Sequence, residues 1–202
     1  MTLGELKAEA MRLMFVQGVS AQTVEDLEFD ENNGDLYRGI VGALNRAFAD
    51  LEAKRILPAR VAKLTVQREA SGTVWLSLES VCDYFAPIAL SFYDGEGFAP
   101  VSFAEQAGML RADSMGREGT YELLYHPLLA RVTDETPNST VLDLPPTLVE
   151  ALPYFVKGDV YRVDEPNEAA EARNFYEAAV AQYAARVTSQ QSVVDDVYEG
   201  LV

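Results

Sequence analysis

The sequence has little cysteine and little histidine, and this limits its chemistry. Cys82 is the only cysteine and His126 the only histidine among the 202 residues. One cysteine excludes a disulfide within these residues and a cysteine-rich metal site. In its Val-Cys-Asp-Tyr context, Cys82 is predicted to be a small buried hydrophobic residue at a strand edge.

Long hydrophobic runs are also absent. No stretch reaches the roughly 18 consecutive apolar residues that a membrane helix needs. The first residues also lack a charged segment followed by an apolar one with a small-residue cleavage site. We therefore expect no membrane span and no signal peptide, and a chain that starts at Met1 in the cytoplasm.

Positive charge is scarce. The chain has 16 Lys and Arg against 32 Asp and Glu, a formal net charge of −16. The excess of acid is spread along the whole chain, so it does not indicate an acidic tail. A phosphate-binding surface is disfavoured. Two interpretations remain: a solvated surface that keeps the protein soluble, or a surface that must not adhere to passing nucleic acid.

Residues 1–57 have the pattern of two helices. Apolar residues from Leu3 recur every three or four positions, and Thr2 with Glu5 has the spacing of a capping box, so a first helix is predicted to end at Gly18. After the polar break at residues 30–34, a second apolar stripe predicts a helix to about Leu57, where Pro58 stops it. The segment 24–29 between them fits a helical turn or an extended piece.

Residues 58–144 change to the two-residue alternation of strands. Three hairpins are predicted, with turns at residues 69–72, 94–97 and 115–119, and Val141-Leu142 is a candidate closing strand. Six or seven short strands at this spacing indicate a small antiparallel sandwich or barrel.

From Pro145 the helical period returns. Pro153 is predicted to kink or restart the first of these helices, and the acidic turn at residues 164–167 opens a last, alanine-rich helix. Residues 187–202 show no clear period. They are either an arm that finds a partner or a frayed end.

The fold class predicted from these blocks is α+β. A helical bundle body is formed by residues 1–57 and 145–186, an antiparallel β-sandwich or barrel-like domain at 58–144 is inserted into it, and 187–202 form a C-terminal arm. The helices at the two ends of the chain have nothing else to bury against, because the strands supply a core for themselves. We expect the insertion to project from the helical body.

The sequence contains no strong catalytic or metal motif. A hydrolase would have to use His126, yet no Gly-x-Ser-x-Gly elbow or cysteine nucleophile motif accompanies it. A calcium loop starting at Asp30 would need glycine at its sixth position, but Gly34 is the fifth, so capping of the second helix is the better interpretation. The acidic pairs Asp164-Glu165 and Asp195-Asp196 have no partner constellation. No catalytic, cofactor-binding or metal residue is therefore predicted.

The strongest functional indication is a resemblance in the third block. Residues 144–161 contain Leu152-Pro153-Tyr154, and residues 164–176 follow with an acidic turn and an alanine-rich helix that carries an Asn174-Phe175 step. This run resembles the head-to-tail adaptor, or connector, proteins of tailed bacteriophages and prophages. The helices at 3–14 and 36–51 also fit the helical body of that family. A β insertion as long as 58–144 is present only in some branches, so the resemblance covers less than half of the chain.

The resemblance implies a structural virion protein that is not an enzyme and needs no cofactor. Such proteins form a ring, typically of twelve copies, below the portal protein, and they join the head to tail or neck proteins. Double-stranded DNA passes through the ring without specific binding, and an acidic lumen would let it slide. The expected location is the virion neck after assembly in the host cytoplasm. The arm, at Val193, Val194, Asp195, Asp196, Val197 and Tyr198, is predicted to dock on the portal or on a neighbouring subunit.

Two alternatives belong to other classes. A carbohydrate- or host-binding β-sandwich module on a phage neck or tail could use Trp75, Tyr84, Tyr93 and Tyr121 as stacking platforms, although strand aromatics are commonly core residues. A cytoplasmic hydrolase would use His126.

Overall fold

The computed structural model has a mixed α+β fold, which confirms the predicted fold class. It describes residues 1–64, 66–68, 74–93, 95–112 and 119–199, with only the backbone described at 67, 68 and 188–199. The helices are α1 (Leu3–Leu13), a 3₁₀ helix (Val24–Phe29), α2 (Gly34–Ala53), α3 (Pro146–Val160) and α4 (Pro166–Glu199). The strands are β1 (Arg60–Leu64), β2 (Val66–Arg68), β3 (Val74–Ser77), β4 (Tyr84–Tyr93), β5 (Phe98–Pro100), β6 (Phe103–Gln106), β7 (Met109–Ala112) and β8 (Thr120–Pro127).

The chain divides into two compact units. The helical unit consists of Met1–Leu51 and Arg131–Val202, and the β unit of Glu52–Ala130. The boundaries predicted from the sequence were 57/58 and 144/145. The second boundary lies earlier in the structure because residues 131–142 bond to helices of the helical unit.

The start of α1 is fixed by the predicted capping box. The Thr2 hydroxyl accepts a hydrogen bond from the Glu5 amide at 3.2 Å, and the Glu5 carboxylate accepts one from the Thr2 amide at 2.7 Å. The helix ends at Leu13, earlier than the predicted Gly18, and Phe15 adopts a left-handed φ of +66°. Segment 24–29, for which the sequence allowed a helical turn or an extended piece, forms a 3₁₀ helix.

Helix α2 buries its predicted stripe, including Ile40, Leu44 and Leu51. It ends at Ala53 rather than near Leu57, and Arg55 follows with a left-handed φ of +52°. The helix therefore stops before Pro58 can act on it.

Residues 131–142 belong to the helical unit. The Asn45 side chain bonds both backbone groups of Val132, at 2.8 and 3.0 Å. Further along, the Leu3 amide donates to the Thr140 carbonyl at 2.8 Å, and Val141 forms an isolated antiparallel bridge with Thr2. The prediction of Val141-Leu142 as a closing strand of the β domain is therefore wrong.

Helix α3 runs through Pro153 without interruption, so the alternative of a restarted helix is wrong. Helix α4 begins at Pro166 and continues for 34 residues, which confirms the last predicted helix. The backbone of residues 187–199 continues this helix, although the apolar residues there show no helical period. Helix formation is compatible with this sequence, because no glycine or proline occurs between Pro166 and Gly200.

The β unit contains two antiparallel sheets, with strand orders β1-β8-β4-β5 and β2-β3-β7-β6. Among the described strands neither sheet closes on itself, so the barrel-like alternative is wrong. Both sheets contribute apolar side chains to one core cluster, which includes Leu76, Leu90, Leu110, Tyr121 and Leu123. The chain passes from one sheet to the other between Leu64 and Val66.

Two of the three predicted hairpins are present, namely β2 with β3 and β4 with β5, but with other strand bounds. The strand predicted over 62–66 is divided between β1 and β2, and the strand predicted at Val101 and Phe103 lies at Phe98–Pro100, while Phe103 pairs with β7. The third is wrong, because β7 pairs with β3 and β6 whereas β8 pairs with β1 and β4. A hairpin that the sequence analysis missed joins β6 to β7 through Ala107-Gly108, whose φ angles are +51° and +75°. The predicted turns at 69–72 and at 115–118 lie outside the described residues.

Among the helices of the described part of the chain, none is both long and apolar enough to cross a membrane.

Candidate functional site

A cleft of about 530 Å³ lies in the helical unit, where the end of α3 meets the beginning of α4. Its charged lining comes from α2, α3, the α3–α4 connection and α4, and consists of Arg46, Asp50, Asp159, Arg162 and Arg173. Three arginines against two aspartates make the lining net positive in a chain whose net charge is −16. The cleft is therefore a local exception to the charge of the molecule.

The cleft depends on a close approach of α3 and α4. The two helices are antiparallel, because Lys157 pairs with Glu168 whereas the earlier residue Phe155 contacts the later Tyr176. At Gly158 the approach is so close that a Cβ atom would lie 2.7 Å from Cγ of Arg173 and 3.0 Å from the carbonyl of Ala169. Only glycine lets the stem of Arg173 cross α3 at this point.

Arg173 is held in place by aromatic rings. Its guanidinium carbon lies 3.9 Å from the centre of the Phe155 ring, a cation–π distance, and 5.8 Å from that of Tyr176. The guanidinium nitrogens of Arg173 have no carboxylate partner among the described residues.

The two aspartates have partners inside the unit. Asp159 forms an ion pair with Arg46, whose Nε lies 3.0 Å from the Asp159 oxygen. Asp50 accepts a 2.7 Å hydrogen bond from the Tyr176 hydroxyl, and burial followed by this bond raises the pKa of Tyr176. The phenol therefore stays protonated as a donor to Asp50.

Arg162 is the remaining charge of the cleft. It is exposed in the connection between α3 and α4, and it makes no ion pair with a described residue. Arginine presents its donors in a planar fork that matches a carboxylate or a phosphate. With Arg173 beside it in the lining, the cleft is suited to an anionic group.

The sequence analysis missed this cleft, because its residues are far apart along the chain and no motif joins them. Arg46 and Arg173 are 127 positions apart by number and meet only through packing. One signal was present: Arg162 and Arg173 are two of only four basic residues after position 144. The structure describes only the backbone of the predicted interaction residues, which is part of α4. These residues are Val193, Val194, Asp195, Asp196, Val197 and Tyr198.

His126 lies on β8 of the β unit. Burial, and then the positive charge of Arg55, lower its pKa. Its Nδ1 is buried and has no hydrogen-bond partner among the described residues. A nucleophile–base pair requires a hydrogen bond of this kind, so Nδ1 of His126 forms no such pair with a described side chain.

Asp30 closes the turn before α2. Its Oδ1 accepts bonds from the amides of Asn32 and Asn33 at 2.9 and 2.8 Å, and these bonds lower its pKa. Both amides precede α2, so these bonds stabilise the turn that leads into the helix, and capping of α2 by this cluster stays a prediction. Across the described ranges, no three acidic, histidine or cysteine side chains are grouped to hold a metal ion.

The prediction that Cys82 is buried is wrong, because its side chain is exposed in the turn before β4. The adjacent Val81 occupies the buried position instead.

Of the four candidate stacking residues, Tyr121 is fully buried, and Trp75 and Tyr84 are half-buried. Tyr93 is 42% exposed and lies 5.2 Å, between ring centres, from Phe98, which is 50% exposed. These two residues form an aromatic pair at the end of the β4–β5 hairpin. Phe98 was not among the predicted residues.

Comparison with known protein families finds no family that matches this chain, and a search of curated proteins finds no significant match.

Proposed function

We propose that this chain is a structural protein of a tailed-phage virion, a head-to-tail adaptor that forms a ring below the portal protein and surrounds the DNA channel. The residues that carry the resemblance, 144–176, comprise α3 and the first turns of α4. The helices at both ends of the chain belong to one unit, with the β unit inserted between them in sequence. This arrangement is the observation that supports the proposal.

In this proposal the helices form a bundle that builds the ring, and the two sheets form a sandwich that contacts tail or neck proteins. The chain is assembled in the host cytoplasm and is located in the virion neck. The net charge of −16 per copy supports passage of DNA, since a ring of acidic subunits repels phosphates and does not retain them.

The part of helix α4 that follows Val180 is suited to contacts between subunits. Val180 is the last buried residue of α4 among those with described side chains, and the helix continues to Glu199. Nineteen residues of helix therefore follow the last fully buried side chain that is described, although Tyr183 and Ala184 are still half-buried. A helix of this kind needs a partner to cover it.

Native mass spectrometry of the full-length chain tests the proposal, alone and mixed with the portal protein encoded in the same genome. We expect a ring of about a dozen copies, or assembly that requires the portal as a template. A chain that stays monomeric and ignores the portal contradicts the proposal. A variant that ends at Val187 is expected to lose ring formation or portal binding, and unchanged assembly would contradict the docking role of the arm.

The exposed pair of Tyr93 and Phe98 favours a second candidate, a carbohydrate- or host-binding module. Aromatic rings at the end of a hairpin can stack against sugar rings. A glycan array probed with the wild-type chain and with Y93A tests it. Binding that the substitution removes would support this candidate, and no binding to any glycan would contradict it.

A further inference from the structure

The arginine cleft and the C-terminal end of α4 differ in charge. Its first turns line the arginine cleft described above, through Arg173. Its last turns contain Asp195, Asp196 and Glu199 in the sequence, with no lysine or arginine after Arg186. The acidic end is the part of the chain that was predicted to contact a partner.

The two ends of one helix cannot meet. Arg173 and Asp195 are 22 residues apart, which corresponds to about 33 Å along an α-helix at a rise of 1.5 Å per residue. The backbone is helical over this whole stretch, so the acidic end is held away from the cleft of its own chain. Any pairing of the two must join two copies.

We propose that the cleft of one copy binds the acidic C-terminal end of α4, around Asp195 and Asp196, from a second copy. The inference rests on the proposed ring assembly and names the contact that would build it. Such a contact joins two different surfaces, so it is heterologous, and heterologous contacts generate closed rings when their rotation closes.

The chemistry of the cleft favours this occupant. Arg162 and Arg173 offer guanidinium donors that no described carboxylate uses. Asp159 is neutralised by Arg46, so it repels an incoming carboxylate only weakly. Asp50 keeps its negative charge, because its partner Tyr176 is a neutral donor, but Arg162 and Arg173 outnumber it. Pro166, Ala169 and Ala170 add small apolar lining, which can accept the valines that flank the acidic pair. In a chain of net charge −16, a net positive cleft is a selective partner for an acidic segment.

A peptide titration tests the pairing without requiring a ring. The receptor is the full-length D195K/D196K variant, whose own end is no longer acidic and therefore leaves the cleft open. The probe is a fluorescent peptide of residues 187–202, followed by anisotropy. We expect binding that weakens as salt rises from 0.05 to about 0.5 M, because the ionic atmosphere screens exposed charges.

Adding Arg162→Glu to the receptor should weaken peptide binding by roughly tenfold or more, since an attraction is replaced by a repulsion. Arg162 is exposed, so the substitution leaves the core intact. The matched control is Arg111→Glu on β7, an exposed arginine that makes the same change in net charge away from the cleft. Absence of binding, or equal binding by the R162E and R111E receptors, would overturn the inference.

Particle mass then separates this inference from the proposed function. In otherwise wild-type chains, R162E and D195K/D196K are each expected to abolish rings, and their combination in one chain is expected to restore them. E31K/E150K, at two exposed positions of the helical unit outside the cleft lining, is the control for the change in charge. Rings that form equally well with R162E overturn this contact and leave the adaptor function standing. A wild-type chain that never assembles contradicts the adaptor function, and the peptide titration then decides the pairing alone.

Discussion

The helical unit and the β unit achieve their packing in different ways. In the helical unit, α3 and α4 are neighbours in sequence, and small residues such as Gly158 and Ala169 allow them to approach closely. In the β unit, β1 pairs with β8, with Arg60 opposite Tyr125, although most of the unit's sequence lies between them. The helical unit is therefore sensitive to side-chain size at a few positions, and the β unit to turns and to contacts between distant residues.

The polar contacts of the two units follow the same division. In the helical unit, five charged side chains line an open cleft, and Arg162 among them has no ion-pair partner in the described part of the chain. In the β unit, Asp83 joins two strands, because it accepts a 2.7 Å hydrogen bond from the Tyr125 hydroxyl and pairs with Arg60. The first arrangement is available to a partner, and the second is used within the fold.

The largest expected effect comes from glycine substitution in the helical unit. Gly158→Ala would place Cβ 2.7 Å from the stem of Arg173 and 3.0 Å from a backbone carbonyl. We expect a loss of about 1–3 kcal/mol in the free energy of unfolding, the usual cost of overpacking. Urea denaturation followed by circular dichroism measures it.

Gly42→Ala is the matched control on α2. Its Cβ would meet only the flexible end of Arg46, at 3.4 Å. Alanine should therefore stabilise the helix by about 0.5–1 kcal/mol. If G158A is as stable as G42A, close helix approach does not limit the helical unit.

The next effect lies in the β unit and depends on pH. Burial alone would raise the pKa of Asp83, but the hydrogen bonds from Tyr125 and Arg60 lower it below the ordinary value of 3.8. Because the folded state favours the ionised form, this contribution to stability is present above about pH 4 and is lost as the pH falls below it.

Asp83→Asn should therefore cost about 1.5–2 kcal/mol at pH 7, the lower part of the range for hydrogen bonds to charged groups because the pair is partly exposed, and clearly less at pH 3. Urea midpoints at the two pH values measure the difference. Glu31→Gln, at an exposed turn in the helical unit, should change little at either pH. An equal loss for D83N at both pH values would contradict an ionic role for Asp83.

The same division explains which features could be predicted from the sequence. The capping box of Thr2 and Glu5 and the stripe of α2 are encoded within a few residues, so both predictions were confirmed. The β7–β8 hairpin was wrong because alternation identifies a strand but not its partner, and β8 pairs with β1 from the far end of the unit. The arginine cleft was missed for the same reason, since its residues come together only after α2, α3 and α4 pack.

The smallest expected effect tests whether the missed hairpin simply lacked its usual local signal. Ala107 and Gly108 both have positive φ, as a type I′ turn requires, and asparagine is the preferred residue at the first of these positions. Alanine pays a steric cost there, because its Cβ approaches the following carbonyl oxygen.

Ala107→Asn should therefore stabilise the β unit by about 0.5–1 kcal/mol, as relief of a left-handed alanine predicts. Thermal unfolding measures the change, with Ala104→Asn as the control on an exposed strand position of β6, where asparagine is unfavourable. If A107N is no more stable than the wild type, the β6–β7 turn is held by the pairing of β7 with β3. The β unit would then depend on non-local contacts even at its tightest turn, which would widen its contrast with the helical unit.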